Sequence, residues 1–255
     1  MLSSPVVTAP VVDAPIDSPV ELHPRAQAGP HLFVGRQGIF SRSGDVHGYE
    51  FLYRVGRQHS LRVDQWPCEA QDRATLRVLQ ATFNATGIRS VASDALVFVN
   101  FTRSFLVGDL PIPAEPDRLV IEVVESVRVD DAVIEGLARL RRLGFRIAVD
   151  DFVGLTNQMA LLPWADYVKI DRRDLYQRGP DLVRMAVAHG ASLIAERIET
   201  PAQLTWCEGL GFDLFQGFHL EEPQVLNRTP VQSRRVERAP LHAGQPVRQR
   251  TAPLL

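Results

Sequence analysis

The sequence has little cysteine, no long apolar run and no marked excess of charge of one sign. Its two cysteines, Cys68 and Cys207, are too few for a disulfide framework and do not make a metal-ligand pair. The 30 acidic and 28 basic side chains leave a formal net charge of −2, so no global positive field favours DNA, RNA or an anionic membrane. A nucleic-acid partner is therefore disfavoured.

Signals for a membrane span or for export are also missing from the sequence. No stretch approaches the roughly 20 apolar residues that a membrane-spanning helix needs. The N-terminus lacks the basic start and the apolar core of a signal peptide. Two isolated cysteines suit a reducing compartment. We therefore expect a cytoplasmic protein without a membrane partner.

The composition is that of a globular domain, with 45% hydrophobic and 23% charged residues. A chain of 255 residues fits one barrel-sized domain or two small ones. Segment 1–30 is rich in Pro, Val, Ala and Ser, and segment 224–255 places dilute arginines among Gln, Pro and Thr. We expect both segments to be disordered tails and the folded domain to span 31–223. A basic arm that touches a partner is the alternative for the second tail.

The folded part opens with a predicted hairpin, in which strands at 31–40 and 46–53 are joined by a turn sequence at 41–45. A helix is predicted at about 69–85. From there short apolar runs alternate with helical segments such as 130–143. Strands that alternate with helices predict an α/β fold, with a parallel sheet covered by helices. If this sheet closes into a (β/α) barrel of the TIM type, the ends of its strands open on one face.

The predicted strands end in polar or charged residues, and these would meet at that face. They are Asn100, Glu122, Asp150 with Asp151, Lys169, Glu196 and Gln216. Carboxylates that meet in one barrel mouth repel each other, and a divalent cation is the simplest remedy. The carboxylates and the amide oxygen of Asn100 offer only oxygen ligands, which suit Mg²⁺, Mn²⁺ or Ca²⁺ rather than zinc. This set of oxygen ligands consists of Glu50, Asn100, Glu122, Asp150, Asp151 and Glu196. Lys169 adds a cation that would orient a water or hold a phosphate.

Each of these residues, taken alone, also fits a simpler structural role. A carboxylate or Asn100 after a strand can cap the next helix, and Lys169 with Asp171 can form a surface ion pair of little energetic weight. The same placement recurs at strand after strand, and this repetition favours a shared site.

Seven short motifs follow one another along the chain. They are Gly48-Tyr49-Glu50-Phe51-Leu52-Tyr53-Arg54, Val99-Asn100-Phe101-Thr102, Glu122-Val123-Val124-Glu125-Ser126, Ala148-Val149-Asp150-Asp151-Phe152, Lys169-Ile170-Asp171, Ala195-Glu196-Arg197-Ile198-Glu199-Thr200 and Gln216-Gly217-Phe218. In identity and order they resemble the EAL family of cyclic di-GMP phosphodiesterases, over roughly residues 35 to 223. Phe51 stands where the naming motif of the family has alanine.

The resemblance implies an EAL domain on a TIM-type barrel, which hydrolyses cyclic di-GMP to the linear dinucleotide pGpG with two Mg²⁺ or Mn²⁺ ions. The implied metal ligands are Glu50, Asn100, Glu122, Asp150 and Asp151. Lys169 and Glu196 would position and deprotonate the attacking water. The dinucleotide would be contacted by Arg54, Leu52 and Gln216. Glu125 would brace the loop after Asp151, and Glu199 would support the pocket.

Two features depart from the active family. After Phe152 the family continues Gly-Thr-Gly, where this chain has Val153-Gly154-Leu155. The connections from Asn100 to Glu122 and from Lys169 to Glu196 are also short. Both features resemble the EAL half of EAL–HDOD signalling proteins.

The alternative to hydrolysis is therefore a catalytically inactive EAL domain that binds cyclic di-GMP or a partner protein. Formation of a homodimer is left open by the sequence. A third interpretation is an unrelated metal-dependent hydrolase on a similar barrel, because a fold does not fix a function.

Overall fold

The structure is a computed structural model, and it describes residues 32–54, 63–83 and 87–228. The predicted N-terminal tail, and the C-terminal tail from residue 229 onwards, lie outside the described residues.

Eight strands close into a barrel in the order in which they occur in the chain, with the eighth pairing back onto the first. The strands are β1 (Leu32–Ser41), β2 (Val46–Tyr53), β3 (Leu96–Phe101), β4 (Leu119–Val123), β5 (Arg146–Val149), β6 (Tyr167–Asp171), β7 (Ser192–Glu196) and β8 (Leu214–Phe215). Strands β2 to β8 are parallel to one another. The predicted α/β barrel is confirmed.

Strand β1 is the exception, because it runs antiparallel to its neighbours. It forms the predicted hairpin with β2, and the turn between them is closed by hydrogen bonds between Ser41 and Asp45 and between Gly44 and Ser41. In this register Gln37 lies opposite Glu50. The end of β1 that faces the mouth of the barrel is therefore its N-terminal end.

Helices cover the outside of the barrel. They are α1 (Cys68–Thr82), α2 (Arg89–Ala92), α3 (Arg103–Val107), α4 (Asp131–Arg142), α5 (Thr156–Met159), α6 (Arg172–Arg178), α7 (Asp181–Ala186) and α8 (Pro201–Gly209), with short 3₁₀ turns at Val63–Gln65, Leu162–Trp164 and Val187–His189. Helix α4 begins where Asp130 accepts a hydrogen bond from the Val133 amide. Helix α8 begins at Pro201 with Thr200 as its N-cap, as the sequence predicts.

The barrel interior is filled by one apolar layer, so the barrel is a packed core and not a pore. The layer consists of Ile39, Phe98, Val120, Ala148, Tyr167, Ile194 and Leu214, one residue from each of seven strands. On β2 the residue at the same level of the barrel is Gly48. A Cβ atom at this position would come within 2.6 Å of the Phe98 ring, so the ring fills the space that a side chain would need. Side chains alternate along a strand. The residues two positions nearer the mouth therefore also point inward.

The folded part extends beyond the predicted boundary at residue 223. Residues Gln224–Arg228 form a ninth strand, β9, which pairs antiparallel with Leu32–Arg36 of β1. The reason is the length of β1: β8 pairs only with Phe40 and Ser41 and leaves the rest of that edge without a partner. An unpaired strand edge attracts another strand. The prediction of a disordered tail at 224–255 is therefore wrong for residues 224–228, and its remaining part lies outside the described residues.

Strand β9 is expected to contribute measurably to stability. Leu226 is partly buried and packs on the main core, so Leu226→Ala should lower the free energy of unfolding by about 1–2 kcal/mol, below the range for a fully buried leucine. Urea denaturation measures this, with the exposed Asn227→Ala in the same strand as control. Equal midpoints for the two variants would contradict a packed β9.

Candidate active site

A ring of polar side chains lies above the apolar layer, one from each of the eight strands or from the residue that follows it. On β1 the step runs backwards along the chain, from Ile39 to Gln37, because that strand is antiparallel. The ring consists of Gln37, Glu50, Asn100, Glu122, Asp150, Lys169, Glu196 and Gln216. Except for Gln37, the sequence predicts every member of this ring.

Lys169 lies at the centre of the ring, with 1% of its surface exposed. Its ammonium nitrogen contacts four carboxylates, three on strands β2, β4 and β7 and one on the residue that follows β5. The contacts are with Glu122 Oε1 at 2.9 Å, Glu196 Oε1 at 2.9 Å, Asp150 Oδ1 at 3.0 Å and Glu50 Oε1 at 3.1 Å. Burial alone would lower the pKa of Lys169, but the surrounding carboxylates outweigh it and hold the pKa well above its usual value. The ammonium therefore stays charged.

Lys169 is also the one lysine in the sequence, since all other basic residues among the 28 are arginines. A compact ammonium can contact four carboxylates at once, whereas a planar guanidinium is suited to pairing with one or two. The scarcity of lysine is therefore a further signal in the sequence, and it marks the central residue of the site.

The ring carries more negative charge than one ammonium balances. Burial, together with the charges of Glu50 and Asp150, raises the pKa of Glu122 well above its usual value despite the opposing effect of Lys169. Burial likewise raises the pKa of Glu196 to about 8. The pKa of Glu50 would also rise on burial, but Lys169 and the Gln216 amide hold it below its usual value. The cluster therefore favours the uptake of further positive charge.

The oxygen atoms of the ring fit a divalent cation. Asn100 Oδ1 and Glu122 Oε2 are buried and accept no hydrogen bond from the described residues, which is costly unless another ligand satisfies them. Asp150, Asp151 and Glu196 each offer an oxygen atom, and these atoms lie within 4.8 Å of one another. The donor set contains only oxygen, as Mg²⁺, Mn²⁺ and Ca²⁺ prefer.

Asp151 is held beside the ring by an unusual backbone. Its φ of 42° lies in the left-handed region, and its carbonyl accepts a hydrogen bond from Gln158 Nε2 at 2.9 Å. The Gln158 Oε1 atom also accepts hydrogen bonds from the backbone amides of Val153 and Leu155. The loop that departs from the family pattern is thus fixed by Gln158, a residue that none of the sequence motifs includes. Burial and the neighbouring Asp150 raise the pKa of Asp151 to about 7.

The predicted ligand-contacting residues lie on β2, directly after β2 and directly after β8. Arg54 is buried, donates to the Tyr53 carbonyl at 2.9 Å, and lies so close to Gly35 that a Cβ there would come within 2.7 Å of its guanidinium carbon. Leu52 is half-buried and pairs with Gly35 in register. Gln216 is buried and donates to Glu50 Oε2 at 2.7 Å.

Two predicted supporting residues lie outside the ring. Glu125 is exposed, and its charge acts on Asp151 by raising the pKa of that carboxyl further. Glu199 is exposed and accepts a hydrogen bond from Arg172 at 3.0 Å. Their roles as loop brace and pocket support stay predictions.

Gln37 completes the ring and fixes its neighbour. Its Oε1 accepts a hydrogen bond from Gln216 Nε2 at 3.2 Å, and its Nε2 donates to the Glu221 carbonyl at 3.1 Å. This arrangement turns the Gln216 amide nitrogen towards Glu50. Gln216 Oε1 is buried and accepts no hydrogen bond from the described residues. It is therefore placed to accept a donor from a ligand.

Removal of the Gln37 side chain should weaken ligand binding without unfolding the protein. For the cyclic di-GMP ligand that the family resemblance implies, we expect Gln37→Ala to raise the Kd by about 3–10-fold, because one lost hydrogen bond is worth about 0.5–1.5 kcal/mol. Calorimetry measures this against Gln80→Ala, which removes an exposed glutamine from α1. Identical Kd values for the two variants would show that Gln37 does not orient Gln216.

Comparison with known proteins agrees with this geometry. The family model described as EAL domain matches residues 53–223. The chain is 30% identical over 202 residues to the uncharacterized protein YuxH of Bacillus subtilis, covering 77% of this chain and 48% of that protein. It is 28% identical over 202 residues to the cyclic di-GMP phosphodiesterase CdgJ of Vibrio cholerae, covering 78% and 46% respectively. The chain thus spans about half the length of the curated relatives it matches.

A solved structure gives the same result for the fold. The EAL-domain protein YkuI of Bacillus subtilis, in complex with cyclic di-GMP and calcium, superposes with a TM-score of 0.59 at 26% identity, covering 78% of this chain and 57% of that one. Within the described residues, none of the helices is long and apolar enough to cross a membrane. The narrower resemblance to EAL–HDOD proteins stays a prediction. On the family match and the shared barrel, the chain belongs to the EAL domain family.

Proposed function

We propose that this chain binds cyclic di-GMP in the mouth of its barrel and hydrolyses one phosphodiester bond to give pGpG. In this proposal two divalent cations, Mg²⁺ or Mn²⁺, are held by Glu50, Asn100, Glu122, Asp150 and Asp151. The relatives support it, since CdgJ is named a cyclic di-GMP phosphodiesterase and the YkuI complex contains the dinucleotide with calcium.

The observation that carries the proposal is the convergence of four carboxylates on one buried ammonium. Buried charges are costly and are retained where they have a partner or a function. Here the acidic groups outnumber the ammonium, and two oxygens beside it have no donor among the described residues. A purely structural ion pair would need neither feature.

The chain's own residues have distinct tasks in this reaction. Bound divalent cations would neutralise the phosphate and lower the pKa of a water molecule. Glu196 is the nearby carboxylate that accepts the proton of the attacking water, and Lys169, 2.9 Å from it, keeps its carboxylate in place. Arg54 and Gln216 bind the dinucleotide, with Leu52 beside them. The water oxygen bonds to phosphorus, one ester P–O bond of that phosphate breaks, and the proton that Glu196 took from the water goes to the leaving sugar oxygen. The ring of the dinucleotide is thereby opened, and the product is linear.

The test is chromatography of cyclic di-GMP after incubation with the purified chain, with Mg²⁺, with Mn²⁺ and with a chelator. We expect pGpG with either metal and none with the chelator. Glu50→Gln should abolish the product, whereas Glu135→Gln, an exposed change on α4, should not. Intact cyclic di-GMP with both metals would overturn hydrolysis.

A second candidate, binding without hydrolysis, is favoured by the loop after Asp151. The family's Gly-Thr-Gly is replaced there, and Leu155 is 51% exposed, as a contact residue for a partner protein would be. Calorimetry separates the two cases: tight binding of cyclic di-GMP with no product supports the second, and rapid product formation refutes it. A homodimer or a protein partner stays a prediction in either case.

We also place this activity in the cytoplasm. The support is chemical: Cys68 and Cys207 are unpaired thiols, which are typical of proteins in reducing compartments.

A further inference from the structure

Two arginines share one buried carboxylate at the rim of the barrel mouth. Asp171 is 3% exposed and ends β6. Its Oδ1 accepts hydrogen bonds from the backbone amide and from the side-chain Nε of Arg173. Its Oδ2 accepts a hydrogen bond from Arg173 Nη2 at 2.6 Å. Arg197 Nε also lies 2.8 Å from Oδ2. Both arginine side chains are more than half exposed, at 53% and 57%.

Arg173 alone satisfies the carboxylate. Its Nε donates to Oδ1 at 3.1 Å and its Nη2 donates to Oδ2 at 2.6 Å, which is the two-pronged pair that makes the strongest arginine–carboxylate arrangement. Arg197 therefore brings a second positive charge that Asp171 does not need for neutralisation. Taken with Asp171 alone, the two guanidinium groups carry a net charge of +1 and are largely exposed to solvent, and the charges of Asp174 and Asp151 also act on Arg173. We call this pair of arginines the positive rim.

The backbone at Arg197 is held in a conformation that disfavours a side chain. Its φ is 56°, and Ser93 and Asp151 are the other non-glycine residues with positive φ in the described part of the chain. Glycine adopts this region at little cost, whereas the Cβ atom of any other residue makes it unfavourable. The flanks impose it, because the Ile198 amide donates to the Gln216 carbonyl and Arg172 Nε donates to the Arg197 carbonyl. Strain of this kind is concentrated at functional sites.

Arg197 also lies next to the ring. It follows Glu196 directly, and Glu196 pairs with Asp171 in the register of β6 and β7. Its charge reaches Asp151, where it opposes the effect of burial on the pKa of that carboxyl. The positive rim is therefore adjacent to the proposed metal ligands and faces the same mouth.

A cyclic dinucleotide carries two phosphates, and the proposed reaction uses one of them. The carboxylates of the ring and their cations would serve the phosphate that is cleaved. The other phosphate would enter a mouth lined by acidic groups, where an anion needs its own cationic partner. Arginine suits this task, because its planar donors match two phosphate oxygens.

We propose that Arg197, anchored with Arg173 on Asp171, contacts the phosphate of the cyclic dinucleotide that is not cleaved, and that it sets the affinity for that ligand. This inference rests on the proposed function. Arg197 is a binding residue in it, and hydrolysis is not required for the test.

The test is calorimetry of cyclic di-GMP binding to the full chain in Ca²⁺, at low and high salt. Arg197→Gly removes the side chain and suits the backbone, so it should fold at least as well as the parent protein. We expect its Kd to rise at least about 10-fold, because a hydrogen bond between two charged groups is lost. The dependence of Kd on salt should also become shallower, because one ionic contact is lost.

Two further variants separate charge from size at this position. Arg197→Lys keeps the charge and should recover part of the affinity. Arg197→Gln removes the charge and should have the same Kd as Arg197→Gly.

Ser93→Gly is the matched control, because it also removes the side chain of a residue with positive φ, at the opposite end of the barrel before β3. We expect it to leave the Kd unchanged. Equal Kd values for Arg197→Gly and the parent protein would overturn the inference and leave the proposed function intact. A similar rise in both glycine variants would also overturn it, since the effect would come from the backbone. If the parent protein does not bind cyclic di-GMP, the proposed function fails, and this inference fails with it.

Discussion

Lys169→Met is expected to lower the free energy of unfolding of the metal-depleted protein by about 3–5 kcal/mol, the usual cost of leaving a buried charge without its partner. The ammonium stands between four carboxylates and has almost no exposure to water. Methionine has a similar length but no charge, so four buried carboxylates would remain with no cation between them. Urea denaturation in the presence of a chelator measures the loss.

Divalent metal should reverse part of this loss. A cation bound to the folded protein stabilises it by mass action, and the variant has one positive charge fewer in the ring. Mn²⁺ should therefore raise the urea midpoint of Lys169→Met more than that of the parent protein. Lys169→Arg keeps the charge but not the compact shape, so its urea midpoint should lie close to that of Lys169→Met. A midpoint for Lys169→Met equal to that of the parent protein would show that the ammonium is not central to the cluster.

Glu196→Gln is expected to lower kcat for cyclic di-GMP by about 10²–10⁴-fold, the usual contribution of a general base. Glutamine has nearly the same shape and still fills the place beside Lys169, but it cannot accept a proton from water. The Kd for cyclic di-GMP should change little, because Glu196 is assigned to the proton and not to the ligand. Single-turnover kinetics with Mn²⁺ separates the two quantities.

Glu135→Gln provides the comparison for Glu196→Gln, because it makes the same chemical change on the exposed face of α4. Its kcat should match that of the parent protein. A kcat for Glu196→Gln within tenfold of the parent value would remove Glu196 from the role of base. An equal fall in both variants would point to loss of folded protein.

The barrel and most of its polar ring follow from the sequence for one physical reason. In β3, β4, β6 and β7 an apolar run leads to a polar residue, because the lower positions fill the interior and the upper ones face the mouth. The alternation of side chains fixes which residues share a level. The hydrophobic pattern by itself therefore assigns Asn100, Glu122, Lys169 and Glu196 to one face of the barrel.

Other features depend on tertiary contacts that the sequence pattern does not contain. Gln37 precedes its apolar neighbour Ile39 and does not follow it, because β1 runs in the opposite direction. Strand β9 has little apolar character, and it forms because β1 is longer than its partner β8. Gln158 lies seven residues beyond Asp151, and its part in fixing the loop depends on three backbone contacts.

Anomalous diffraction from crystals grown with Mn²⁺ tests the central claim most directly. The proposed function predicts two manganese peaks in the mouth, one of them within about 2.0–2.6 Å of oxygen atoms of Asn100 and Glu122, a range that spans ordinary oxygen–cation distances. Asp150 and Asp151 should supply further oxygen ligands. The absence of manganese from the mouth, with Lys169 still the sole cation among the carboxylates, would contradict the account.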